Sequence, residues 1–172
     1  AAGKYTIVPS GLSAANYTIT YANGTLTISQ ATLSAPSSAS WSSTLGTATW
    51  SNVSAIGSAS VTYKVILYKD GTASVTKTGL TSTSYDFASE IRKAGGTYYF
   101  TVQAISSDTT NCASSGTTKS GNLQATKVSI ETNTGISSAT INSASSYVMI
   151  AGESGIAVTA TAKNGYDFAS WS

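Results

Sequence analysis

The sequence predicts an all-β chain, an antiparallel sandwich flanked by two partial β modules. Three observations carry that expectation. Charged residues are only 9% of the 172, far below the roughly 25% of an average soluble protein. Thr, Val, Ile and Tyr, which suit pleated strands, are plentiful. Apolar and polar residues alternate over short runs, as at Tyr98, Phe100, Val102 and Ala104, and Gly- or Asn-containing turn signals separate the runs.

Residues 1–30 contain the plainest local signal. Ile19-Thr20-Tyr21-Ala22 leads through Asn23-Gly24 into Thr25-Leu26-Thr27-Ile28. Asn-Gly favours a two-residue hairpin turn because both turn residues need positive φ. Such a turn would set Ala22 opposite Thr25, Tyr21 opposite Leu26 and Ile19 opposite Ile28, gathering the apolar side chains on one face. Tyr17 extends that row, and Tyr5 with Ile7 forms a third strand before Pro9-Ser10-Gly11. Gly3-Lys4-Tyr5-Thr6-Ile7, Ser10-Gly11-Leu12, Asn16-Tyr17-Thr18-Ile19-Thr20-Tyr21 and Asn23-Gly24-Thr25-Leu26-Thr27-Ile28 together resemble the end of an MBG-type bacterial surface repeat. The resemblance implies that the first half of the repeat is missing and that the chain is an internal piece of a longer precursor.

Residues 31–126 read as one sandwich domain. Leu33-Ser34-Ala35-Pro36 opens it, with Pro36 suited to a strand edge. Ala48 and Trp50 share one side of a short strand, and Tyr63, Val65 and Leu67 alternate before a Lys69-Asp70-Gly71 hairpin turn. Ser84-Tyr85-Asp86-Phe87 is a further short strand, and a Gly95-Gly96 turn precedes the strand through Ala104. About seven short strands with frequent turns predict an antiparallel sandwich. These motifs, in this order, resemble a bacterial fibronectin type III domain. The resemblance implies that Trp50 is the core tryptophan and Tyr98 the tyrosine near the start of the penultimate strand. The integrin-binding tripeptide of some animal relatives is absent.

Residues 127–172 start with Val128-Ser129-Ile130 and carry Gly152-Glu153, the alternating run Ala157–Ala162, and Gly165-Tyr166-Asp167-Phe168-Ala169-Ser170-Trp171-Ser172. They resemble a small internalin-type B-repeat that stops short. Both flanking segments are near or below the length at which a lone β module buries enough surface to offset chain entropy. Their apolar rows are therefore expected to be ordered only through partners, by docking on the sandwich or by strand exchange.

Chemistry is mostly excluded by composition. There is no His and one Cys, Cys112, so His-based nucleophilic triads and intramolecular disulfides are ruled out. Absence of disulfides in a chain of extracellular character points to a bacterial exterior. The seven acidic residues are scattered; Asp86 and Glu90 are the nearest pair and read as a solvated strand end, whereas a glycosidase needs two carboxylates facing across a cleft. Around Asp108, Ser106–Asn111 offers a single carboxylate, too few for calcium. The net charge of +2 is dispersed, which argues against nucleic acid, and no apolar run approaches a membrane span. No cofactor, metal or catalytic residue is expected. Ile66 and Tyr68 fall on the face opposite Val65 and Leu67, and Tyr99 does the same on its strand. If the two strands are neighbours, the three make an exposed patch for a ligand or a partner. The expected role is a non-enzymatic structural or adhesive segment of a bacterial cell-surface or secreted protein. Its possible partners are a host glycan or mucin, or neighbouring modules of the same protein. A carbohydrate- or mucin-binding module and a spacer within a large extracellular hydrolase are the alternatives.

Overall fold

The computed structural model describes residues 1–132, 134–167 and 169–170. In chain order the strands are β1 (Gly3–Ile7), β2 (Gly24–Ile28), β3 (Ala31–Thr32), β4 (Ala39–Trp41), β5 (Thr47–Trp50), β6 (Val61–Lys69), β7 (Thr72–Leu80) and β8 (Ser84–Asp86). After a single helical turn, α1 (Ala88–Ile91), come β9 (Gly96–Ser106), β10 (Cys112–Ala113), β11 (Thr117–Lys119), β12 (Leu123–Ser129), β13 (Ile136–Ile141), β14 (Ser146–Ile150) and β15 (Val158–Ala162). Apart from α1 the regular structure is all β, and the sheets are antiparallel save for a two-residue parallel pairing of β3 with β10.

Two sheets face each other across the main core. One has the order β4-β5-β8; the other runs β7-β6-β9-β12-β14, with β11 pairing along the same edge of β9 as β12. The alternation read from the sequence sets which side chains meet. Ala48 and Trp50 from one sheet, and Tyr63, Val65, Leu67, Tyr98, Phe100, Val102 and Ala104 from the other, are all buried. Trp50 meets Tyr63 and Phe100 edge-on, at ring-centroid distances of 5.6 and 6.3 Å. Trp41 meets Phe100 at 5.0 Å, again edge-on, the geometry that aromatic quadrupoles favour. The Tyr98 hydroxyl donates to the Ala94 carbonyl at 2.7 Å, and the Tyr63 hydroxyl accepts the Val53 N–H and donates to Asn52 Oδ1. Thus neither phenol is buried unpaired.

The Lys69-Asp70-Gly71 turn forms as expected. Asp70 and Gly71 both have positive φ, 48° and 85°, which matches the right-handed twist of β6 and β7. Gly46 answers a different need: its φ is +77°, and a Cβ there would lie 2.7 Å from the Ala88 Cα. The close approach lets the Phe87 N–H reach the Gly46 carbonyl at 2.9 Å. The α1 turn is an addition to the expected strands; Asp86 Oδ1 accepts the Ala88 N–H at 2.8 Å and starts it.

The Asn23-Gly24 hairpin does not form. β2 pairs with β1, with Tyr5 opposite Leu26 and Ile7 opposite Gly24, and neither Asn23 nor Gly24 has positive φ. Residues 17–22 are not a strand. Instead the Tyr21 hydroxyl bonds both the N–H and the carbonyl of Leu12, at 2.7 and 2.8 Å, closing a loop across residues 12–21. The competing strands carry the same apolar-Thr alternation, so β2 can be matched by either, and a turn signal states only that a hairpin is easy. Where no face is buried, register and partner are weakly specified. All of β1 and β2 is exposed. The segment is tied to the sandwich by Ala2 N–H on Asn111 Oδ1, by Gln30 Nε2 on the Thr109 carbonyl, and by the β3–β10 pairing. A two-stranded sheet is marginal in water. Amides of β1 and β2 are therefore expected to exchange with solvent much faster than those of β6 and β9. Equal protection in a hydrogen-exchange experiment at low concentration would show that the ribbon is stable unaided.

The third segment is joined to the sandwich more closely. β12 runs through the expected boundary between residues 126 and 127, pairing with β9 through Leu123–Ala125 and with β14 through Ala125–Ser129. Val148 and Ile150 of β14 lie in the same core cluster as Trp50 and Phe100. Beyond it, β13 and β15 form a separate two-stranded sheet with a bulge near Ser138. Val158 and Tyr166 are exposed there. Phe168 and Trp171, expected on that apolar row, lie outside the described residues.

Candidate partner-binding face

The outer face of the larger sheet is set by the same alternation that fills the core. Residues opposite one another across an antiparallel pair point to the same side. Ile66 is paired with Thr76 on β7 and Thr101 on β9, and Tyr68 is paired with Tyr99. The three residues singled out in the sequence thus share one face, each half-buried. The Tyr68 and Tyr99 rings stack, with centroids 4.7 Å apart and planes within 8°.

Lys119, which sequence reasoning missed, completes the group. β11 places it opposite Thr101, and its ammonium lies 3.8 Å from the centre of the Tyr99 ring, a cation–π contact. Because β6 and β11 flank β9 on opposite sides, Tyr99 has Tyr68 on one ring face and Lys119 on the other. Lys64, opposite Gln103, stands on the same side of the sheet. Nothing in the sequence flagged Lys119, since the register of a three-residue strand is a product of the fold. Asp70, at the turn beyond Tyr68, is held by Lys69 at 2.7 Å and by the Thr97 N–H at 2.8 Å. Both contacts keep its carboxyl below the ordinary carboxylate range.

Three other acidic groups, Asp108, Glu90 and Asp86, brace local structure. Asp108 accepts the N–H groups of Thr110 and Asn111 and the Asn111 side-chain amide, which closes the loop the sequence offered as a weak cation site. Glu90 is bonded by the Ser89 hydroxyl and lies 3.6 Å from Lys77, while Asp86 starts α1. Among the described residues no three His, Cys, Asp or Glu side chains converge, and no helix is long and apolar enough to cross a membrane. Cys112 is buried.

Glu153 forms a further polar cluster. It accepts both Nη atoms of Arg92, at 3.0 and 2.6 Å, together with the Tyr147 hydroxyl and the Ile150 N–H. Arg92 also donates to the Val148 carbonyl and lies over the Tyr147 ring. The cluster links the α1 turn to the β14 region across 61 residues of sequence. An open cleft of about 750 Å³ lies beside the β13–β15 ladder, with Ile136, Val158, Ala160 and Tyr166 in its lining.

The geometry defines an almost wholly β chain of antiparallel sheets, carrying a half-buried aromatic and basic face. Residues 1–27 match the family model for the MBG domain (YGX type). The match supports a repeat module of the kind found in surface proteins, and so points weakly to an extracellular setting. No curated protein and no solved structure matches the chain.

Proposed function

We propose that the chain is a non-catalytic structural and adhesive segment of a bacterial cell-surface or secreted multi-module protein. The observation that carries the reading is β12, one strand shared between the sandwich and the following segment, which sets the two in rigid series as a stalk requires. Strand order supports a fibronectin type III-like assignment for the centre. The three-stranded sheet β4-β5-β8 faces β7-β6-β9 and the paired β11 and β12, and Tyr98 near the start of β9 bonds a carbonyl four residues upstream, as in the tyrosine corner of Greek-key sandwiches. The B-repeat assignment of the third segment rests on its residue pattern. A carbohydrate- or mucin-binding role is favoured by the Tyr68–Tyr99–Lys119 face.

Rigid coupling has a direct measurement. Backbone ¹⁵N relaxation should give β6, β9, β12 and β14 one common tumbling time; separate times for β14 and β9 would overturn the stalk reading. The chain should also show no turnover of glycan, peptide or ester substrates above a denatured control. Hydrolysis lost in Asp86→Asn or Glu90→Gln would establish an enzyme instead.

A further inference from the structure

We propose that the outer face of the β6–β9–β11 ladder binds an acidic saccharide through its carboxylate or sulfate group, at Tyr68, Tyr99, Lys119 and Lys64. The inference rests on the adhesive reading above and specifies its ligand chemistry.

Ring geometry at Tyr99 favours one sugar class over the other. A neutral sugar is gripped by laying its C–H face on an open aromatic face, but both faces of Tyr99 are occupied, by Tyr68 at 4.7 Å and by the Lys119 ammonium at 3.8 Å. The pair also carries two phenolic hydroxyls. Those hydroxyls make no hydrogen bond within the described residues, unlike those of Tyr63, Tyr98 and Tyr147. Two unengaged O–H donors beside an ammonium suit an anionic oxygen.

Charge points the same way. Lys119 lies on Tyr99, Lys64 stands two rows from Tyr68 along the same face, and the neighbouring residues in register on this side of β7, β9 and β11, Thr76, Ala73, Thr101, Gln103 and Thr117, carry no carboxylate. The nearby Asp70 is already neutralised by Lys69. An acidic peptide would gain most by adding to the open edge at β7, but the β6–β7 register is interrupted twice, between Tyr63 and Val65 and between Leu67 and Tyr68, which blunts strand addition. A short acidic sugar on a polar chain needs no edge.

The test uses the whole chain against immobilised neutral, sialylated and sulfated oligosaccharides, with an acidic peptide alongside. Sialylated or sulfated probes should bind, and binding should weaken as salt rises through the physiological range. Lys119→Gln and the double variant Tyr68→Phe/Tyr99→Phe, which keeps both rings and removes only the hydroxyls, should each lose at least tenfold. Glu131→Gln, on an exposed residue away from the face, should lose nothing. Neutral sugars bound equally well, with Lys119→Gln unaffected, would overturn the anionic inference while leaving an adhesive role standing. A blank array would overturn both the inference and the adhesive reading, leaving the spacer, which the relaxation measurement tests separately. Preference for the acidic peptide would likewise overturn the saccharide assignment.

Discussion

Trp50→Ala will destabilise the chain by about 3–5 kcal/mol, the range for truncating a large buried aromatic. Trp50 is 5% exposed and lies between Tyr63 and Phe100, so its removal opens a void between the two sheets that neither strand can collapse to fill. Natural domains hold only about 5–15 kcal/mol in total, and the variant should therefore unfold at much lower urea. Trp50→Phe separates volume from polarity. Trp50 Nε1 is buried without a hydrogen-bond partner among the described residues, so replacing the indole removes an unsatisfied donor as well as some contact area. That substitution should cost about 1–2 kcal/mol, since no hydrogen bond is lost with it. Urea denaturation of the three proteins checks the ordering; a Trp50→Ala cost below about 1 kcal/mol would show that the indole does not sit between the sheets.

Glu153→Gln will cost about 1–3 kcal/mol at neutral pH, the range for losing a charge-assisted fork in a partly buried ion pair. The Glu153 side chain is 10% exposed and its fork-to-fork bond to Arg92 is 2.6 Å at the shorter contact. The Arg92 guanidinium first, then the Tyr147 hydroxyl and the Ile150 N–H, hold the Glu153 carboxyl down to about 2 from an ordinary 4.5. Its pKa is lower folded than unfolded, so the stabilisation is fully present above pH 4.5 and is lost as pH falls towards 2. Wild type and Glu153→Gln should accordingly differ at pH 7 and converge near pH 2. Arg92→Lys should fall between them, because a point charge cannot reproduce the fork. The loss should appear first in β14, whose Val148 carbonyl and Ile150 N–H belong to the same cluster. A pH-independent gap would mean that the cost comes from packing and not from the ion pair.

Much of this architecture was legible before any coordinates. Alternation at Tyr63–Leu67 and Tyr98–Ala104 named the core residues of β6 and β9, and Asp70-Gly71 named the turn that follows β6, because strand facing and tight turns are settled within a few residues. The outward placement of Ile66, Tyr68 and Tyr99 followed from the same alternation. The absence of His, and with it of His-based chemistry, was readable from composition alone.

Only the tertiary structure could decide which strand pairs with which. Asn23-Gly24 carried as strong a hairpin signal as Asp70-Gly71, yet β2 chose β1, because with every side chain there exposed no buried face enforced the local register. The sharing of β12, the convergence of Arg92 on Glu153 from 61 residues away and the arrival of Lys119 over Tyr99 left no trace in local pattern. Each depends on segments far apart in sequence being brought together, and that juxtaposition is set by burial of the whole core, to which no short window of sequence has access.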